Sequence, residues 1–144
     1  EEEFLFYIKV FIFEEIVDYY NLTMGKDVRL EKTCQAINQN HHEDESRHLA
    51  FGRVMINYLF HRYKTAWTNQ ELVKIRQYIA SFYQMTWREY YNPDVYKDIG
   101  IENPYKVAEE VYASPAARAY RMKVSHNSLQ YLLKCEILLE EISL

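Results

Sequence analysis

The chain has 144 residues, 49% hydrophobic and 16% aromatic, with a formal net charge of −4. That is the size of one ordinary domain, large enough to bury a core and too apolar for a disordered tract. The acidic balance, with no basic tract, excludes a nucleic-acid footprint, and three glycines and three prolines leave little turn chemistry for a many-stranded sheet.

The opening EEEFLFYIKVFIF is acidic where a secretory signal would be basic, and Lys9 interrupts its apolar run. It is too short to cross a bilayer. These features predict a cytoplasmic protein with no membrane partner. The apolar periodicity begins without a capping residue or lead-in loop, which predicts the C-terminal part of a larger helical bundle. The first helix is expected over residues 3–22, broken by Gly25 and Asp27. The second is expected over 28–63 with no proline inside it. Its inward stripe reads Leu30, Cys34, Ile37, His41, Glu45, His48, Gly52, Met55, Leu59, at steps of three or four residues. A third helix starts after Thr68, whose partner three residues on is Glu71, a capping box. It stops at Asn92-Pro93. Residues 93–113 are expected to be irregular, with a short helix over 105–112. Ser114-Pro115 opens a last helix, a cap followed by proline at the first helical position, running to about residue 141. Cys34 and Cys135 form no C-x-x-C pair and read as buried thiols of a reducing compartment. The predicted fold is all-α, one domain over 1–144, with long antiparallel helices joined by short loops.

Residues 40–51, NHHEDESRHLAF, interrupt the second helix with three histidines, three carboxylates and an arginine. At about 100° per residue, Glu45 lies about 40° to one side of His41 and His48 about 20° to the other. The three therefore share one face, taken as inward. Glu43 points nearly opposite, and His42 sits at the edge. Unpaired, such a set costs several kcal/mol of desolvation, of order 3 or more; a cation removes that cost. Carboxylate with imidazole suits iron, manganese or zinc, and no nearby thiolate argues for a softer ion. Glu45-x-x-His48 places both donors one turn apart, the unit that carboxylate-bridged bundles use to hold two metals. The preceding helix offers Glu14 and Glu15 inside an apolar run. Asp18, one turn beyond Glu14, is either an outer hydrogen-bond acceptor or a solvated residue. His42, His61 and His126 lack such company and read as surface or capped histidines. The fourteen tyrosines read as core packing with wet hydroxyls rather than redox centres.

Asp44-Glu45-Ser46-Arg47-His48 resembles the second D-E-x-R-H half-motif of ferritin-like diiron oxygenases. With His41 it extends to H-x-x-x-E-x-x-H, followed by Leu49-Ala50-Phe51, which resembles the para-aminobenzoate N-oxygenase (AurF-like) family over residues 11–55. The resemblance implies a ferritin-like bundle in which His41, Glu45 and His48 bind iron. It also implies a ligand glutamate about 27 residues upstream of the first histidine, which lands on Glu14, with Glu15 the near alternative. Asp44 would hold a ligand histidine of the pairing helix through an outer hydrogen bond, and Arg47 would form a structural ion pair. The family carries another glutamate and another E-x-x-H; this chain has one E-x-x-H. Either the missing ligands lie in a longer chain, or two copies share the site across a two-fold axis.

The implied function is O2 activation by two iron ions, or manganese, with N-oxygenation of an aryl amine or hydroxylation of a small substrate. An external electron donor resets the metals, and the expected assembly is a homodimer. Two other classes compete. A ferritin-like iron-binding or ferroxidase protein would share its site between copies and lack an apolar pocket beside the metals. A metal-free helical interaction module would keep the cluster as a satisfied polar network.

Overall fold

A computed structural model describes residues 2–144. Among the described residues there are six helices: α1 (Glu2–Gly25), α2 (Lys32–Tyr63), α3 (Asn69–Glu89), α4 (Pro93–Asp98), α5 (Pro104–Ala113) and α6 (Pro115–Lys134). No strand occurs among the described residues. The protein is an all-α helical bundle, as its composition predicts.

Helix α1 buries Phe4, Ile8, Phe11, Ile12 and Ile16, a stripe at helical spacing. It runs antiparallel to α2: Phe4 packs on Phe60 near one end, and Asp18 meets His42 near the other. Helices α3 and α6 pair in the same sense. The fully buried Tyr83 donates its hydroxyl hydrogen to Ser128 Oγ at 2.7 Å, and Trp87 Nε1 donates to Ser125 Oγ at 2.9 Å. Tyr131 of α6 joins the pairs by donating to the carbonyl of Arg53 at 2.7 Å. Buried aromatic hydroxyls and indole N–H groups need such partners, so these bonds set the register of the core.

Local signals set most helix ends where expected. Thr68 accepts from the Glu71 backbone N–H, and the Glu71 carboxylate accepts from that of Thr68. Ser114 caps α6, with Pro115 at its first position. Four bounds differ from the sequence reading. Helix α1 continues past residue 22 to Gly25, where an added Cβ would stand 3.2 Å from the backbone nitrogen of Gln39; the missing side chain lets the helix end close on α2. Helix α2 begins at Lys32 rather than residue 28, because Asp27 accepts from the backbone and guanidinium of Arg29 and holds that segment as a turn. The irregular stretch contains α4, capped by Asn92.

The last difference is the largest. Helix α6 ends at Lys134, not near residue 141. Glu136 takes a left-handed backbone, φ 60°. Ile137 N–H donates to the Leu132 carbonyl and Glu136 N–H to that of Leu133, a Schellman closure usually built on glycine. Ile137 and Leu138 fold back into the core.

The phase assigned to α2 also needs correction. Its buried residues are Leu49, Ile56, Leu59 and Phe60, and His42 and Arg53 turn toward α1. The His41–Glu45–His48 stripe runs along the flank of that interface rather than into it. Ile37, placed on the inward stripe, is exposed. The cysteines are half-buried free thiols on separate elements.

Candidate metal centre

Glu14 and Glu15 are adjacent, so their side chains leave α1 about 100° apart and meet different surroundings. Glu15 turns to α2 and forms an ion pair with Arg53. Burial pushes its carboxyl above the usual range, and the guanidinium opposes that. Glu14 turns to the flank, where α2 presents Glu45 and His48. One donor atom from each of Glu14, Glu45 and His48 lies within 4.8 Å of the others. Burial, then the Glu45 charge, raises the Glu14 carboxyl above its ordinary value, while His48 opposes the rise. His48 Nδ1 stands 3.2 Å from Glu45 Oε2.

The donor set fits a divalent cation. Two carboxylates and one imidazole converge, with only an imidazole to offset two like charges. Oxygen and imidazole nitrogen are the donors that iron and manganese accept. Glu45 is 23% exposed and His48 61% exposed, so the coordination side of the cluster stands open.

The remaining sequence candidates fall elsewhere. His41 lies on the same stripe as Glu45 but is exposed and outside the converging group. His42 turns inward instead: its Nδ1–H donates to Asp18 at 2.8 and 3.0 Å from the two carboxylate oxygens. Asp18 is thus a buried acceptor, tied to a histidine that the sequence reading set aside. Asp44 and Arg47 pair with each other on the outer surface, and Asp44 reaches no histidine across the helix pair. His61 and His126 are exposed.

Two links that sequence reasoning missed bracket the cluster. The Asp18–His42 bond lies one turn beyond Glu14, and the Glu15–Arg53 pair lies beside it. Their signal was present as spacing. His42, Leu49, Arg53, Ile56 and Phe60 recur at steps of seven, four, three and four, a second stripe that fits one helix face equally well.

Apolar side chains surround the cluster. A cavity of about 260 Å³ holds Glu14 and His48 among Tyr7, Val10, Phe11 and Phe51. A neighbouring cavity of about 410 Å³, lined by Phe6, Phe13 and Phe82, also reaches Glu14. A third, of about 340 Å³, extends the apolar surface past Phe13 and Phe82 to Met85 and Thr86.

Carboxylates and an imidazole converge from neighbouring helices beside an apolar groove, an arrangement that could hold a metal cation, and the class the fold defines is an all-α helical bundle. The chain belongs to the P-aminobenzoate N-oxygenase AurF family, whose model matches residues 1–134. This is a family of diiron enzymes, and membership implies an oxygenase. No curated protein and no solved structure matches the chain significantly. No helix is long and apolar enough to cross a membrane among the described residues.

Proposed function

We propose that the protein is a non-haem diiron oxygenase that N-oxygenates an amine, with manganese able to take the same donors, and that these residues supply one part of its metal site. The observation that carries the reading is the approach of Glu14, Glu45 and His48 donor atoms to within 4.8 Å at the open edge of an apolar groove. Glu14 and Glu45 would supply carboxylate oxygens to the metal and His48 would supply nitrogen. His41, one turn before Glu45, would join on the outer side. Iron held by these residues would supply the electrons for O2 reduction and the oxidising power for the substrate nitrogen, with an external donor needed to restore it.

The protein's own residues do the positioning. The Asp18–His42 bond and the Glu15–Arg53 pair tie α1 to α2 next to Glu14. Phe6, Val10, Phe13 and Phe51 line the approach, offering an aromatic amine a stacking surface. A two-metal site would need further donors than Glu14, Glu45 and His48, from the same chain or from a second copy. The apolar groove beside the donors favours an oxygenase over a ferroxidase without organic substrate. Two carboxylates held close with one imidazole to offset them disfavour a metal-free module.

The test is metal analysis of the full protein after anaerobic reconstitution, followed by oxygen consumption with aryl amines. Iron binding that Glu45→Ala abolishes, with amine-dependent oxygen uptake in the wild type, is the expected result. Undiminished iron in the variant overturns the ligand assignment. Bound iron with no amine-dependent uptake overturns the oxygenase reading and returns the ferroxidase.

A further inference from the structure

Away from the carboxylate–imidazole cluster, α3, α5, α6 and the C-terminal segment line an open cavity of about 370 Å³ that shares no residue with it. Three arginines line it: Arg88, Arg118 and Arg121. Arg121 is only 2% exposed. Its Nη1 donates to the Tyr112 carbonyl at 2.8 Å and to the Tyr91 hydroxyl at 3.3 Å, while its buried Nε donates to nothing. Among the described residues no carboxylate pairs with Arg121 or Arg118; Arg118 donates only to Ser143 Oγ, at 2.5 Å. Arg88 pairs with Glu109. The Arg88 and Arg121 guanidinium carbons lie 4.4 and 4.0 Å from the centre of the same Tyr112 ring.

A guanidinium nearly buried without countercharge is costly. Contact with aromatic faces and a helix-end carbonyl offsets part of that cost, but it does not neutralise three cations gathered around one cavity. Among the lining side chains, three guanidiniums against the single carboxylate of Glu109 leave an excess of two positive side-chain charges, in a chain whose overall charge is −4. A phosphate group carries about −1.5 to −2 at neutral pH and presents several acceptor oxygens. Guanidinium forks match that geometry better than ammonium groups do. A second cavity of about 240 Å³ adjoins the first and shares Arg88, Glu109 and Tyr112 with it. Tyr91, Pro93 and Tyr105 add flat apolar walls there, suited to a ring carried by the same ligand.

We propose that the Arg88–Arg118–Arg121 cavity is an oxyanion site that takes the phosphate group of a small molecule. Calorimetric titration of the full, metal-loaded protein tests it, at constant ionic strength in chloride buffer, with inorganic phosphate and with adenosine monophosphate. Saturable binding is expected, weakened about tenfold or more by Arg118→Gln and by Arg88→Gln. Arg118 is exposed and Arg88 half-exposed, so both variants keep the buried Arg121 contacts and should retain wild-type circular dichroism. Arg29→Gln, which changes an exposed arginine of the α1–α2 turn, should bind as the wild type does. Tighter binding of the nucleotide than of inorganic phosphate identifies an organic phosphate as the ligand; equal binding identifies free phosphate. Binding of neither ion by the wild type overturns the proposal, as does undiminished binding in both the Arg118 and Arg88 variants.

Discussion

Replacing Glu14 by Gln should move stability and metal binding in opposite directions. The Glu14 and Glu45 donor atoms approach within 4.8 Å, a separation at which like unit charges repel by ~0.9 kcal/mol in water and ~3.5 kcal/mol at an effective dielectric near 20. Glu14 is largely solvent-screened and His48 offsets part of the repulsion, so the relief on removing the charge is set near the lower figure, ~1 kcal/mol. In chelator, the full chain carrying Glu14→Gln should therefore melt a few degrees higher than the wild type. With ferrous iron the order reverses: a ligand at one hundred times its dissociation constant stabilises the wild type by about 2.7 kcal/mol, and the variant gains little. Glu15→Gln gives the converse pattern. It strips the partner from Arg53, costs ~1 kcal/mol or more in chelator, and leaves the iron-induced gain intact. Differential scanning calorimetry under anaerobic conditions reads all six states, three proteins each in chelator and in ferrous iron. The reasoning fails if Glu14→Gln destabilises the metal-free chain, or if it keeps the full iron-induced gain.

Three further outcomes follow from the packing. Tyr83→Phe removes a buried donor to Ser128, which still donates to the Ser125 carbonyl; urea unfolding should show a loss of ~1 kcal/mol with an unchanged m-value. Thr68→Ala breaks the α3 capping box at a cost of ~1 kcal/mol. The cap holds the Glu71 carboxyl below its ordinary value, so its contribution is present above the ordinary carboxylate pKa and is lost as pH falls through the lower folded value; a pH series of melts on the variant should show a shallower decline in that acid range. An added Cβ at Gly52 meets nothing closer than 3.9 Å, whereas at Gly25 it meets α2 backbone at 3.2 Å. Gly52→Ala should raise stability by about 0.5–1 kcal/mol through helix propensity, and Gly25→Ala should lower it, both by chemical denaturation.

What the sequence determined by itself was whatever neighbouring residues settle among themselves. The Thr68–Glu71 box, Asn92-Pro93 and Ser114-Pro115 are local hydrogen-bonding and steric signals, and each marks a helix end in the fold. The sharing of one helix face by His41, Glu45 and His48 follows from helical geometry alone, and the H-x-x-x-E-x-x-H pattern they form pointed to the family that matches residues 1–134. The end of α6 was harder to read, because Glu136 adopts a left-handed backbone without the glycine that usually signals it; burial of Ile137 and Leu138 holds it there.

Tertiary structure alone decided which way the helices turn. Helix α2 carries two stripes that differ by one residue, one through His41 and His48, the other through His42 and Leu49. Periodicity weighs them equally, since a rotation of about 100° converts one into the other. The side chains of α1 chose between them. Asp18 takes His42 and Glu15 takes Arg53, which leaves Glu14 beside Glu45 and His48 on the open flank. A helix encodes its faces along its own length, but the face that becomes buried depends on the complementary groups of a partner distant in sequence.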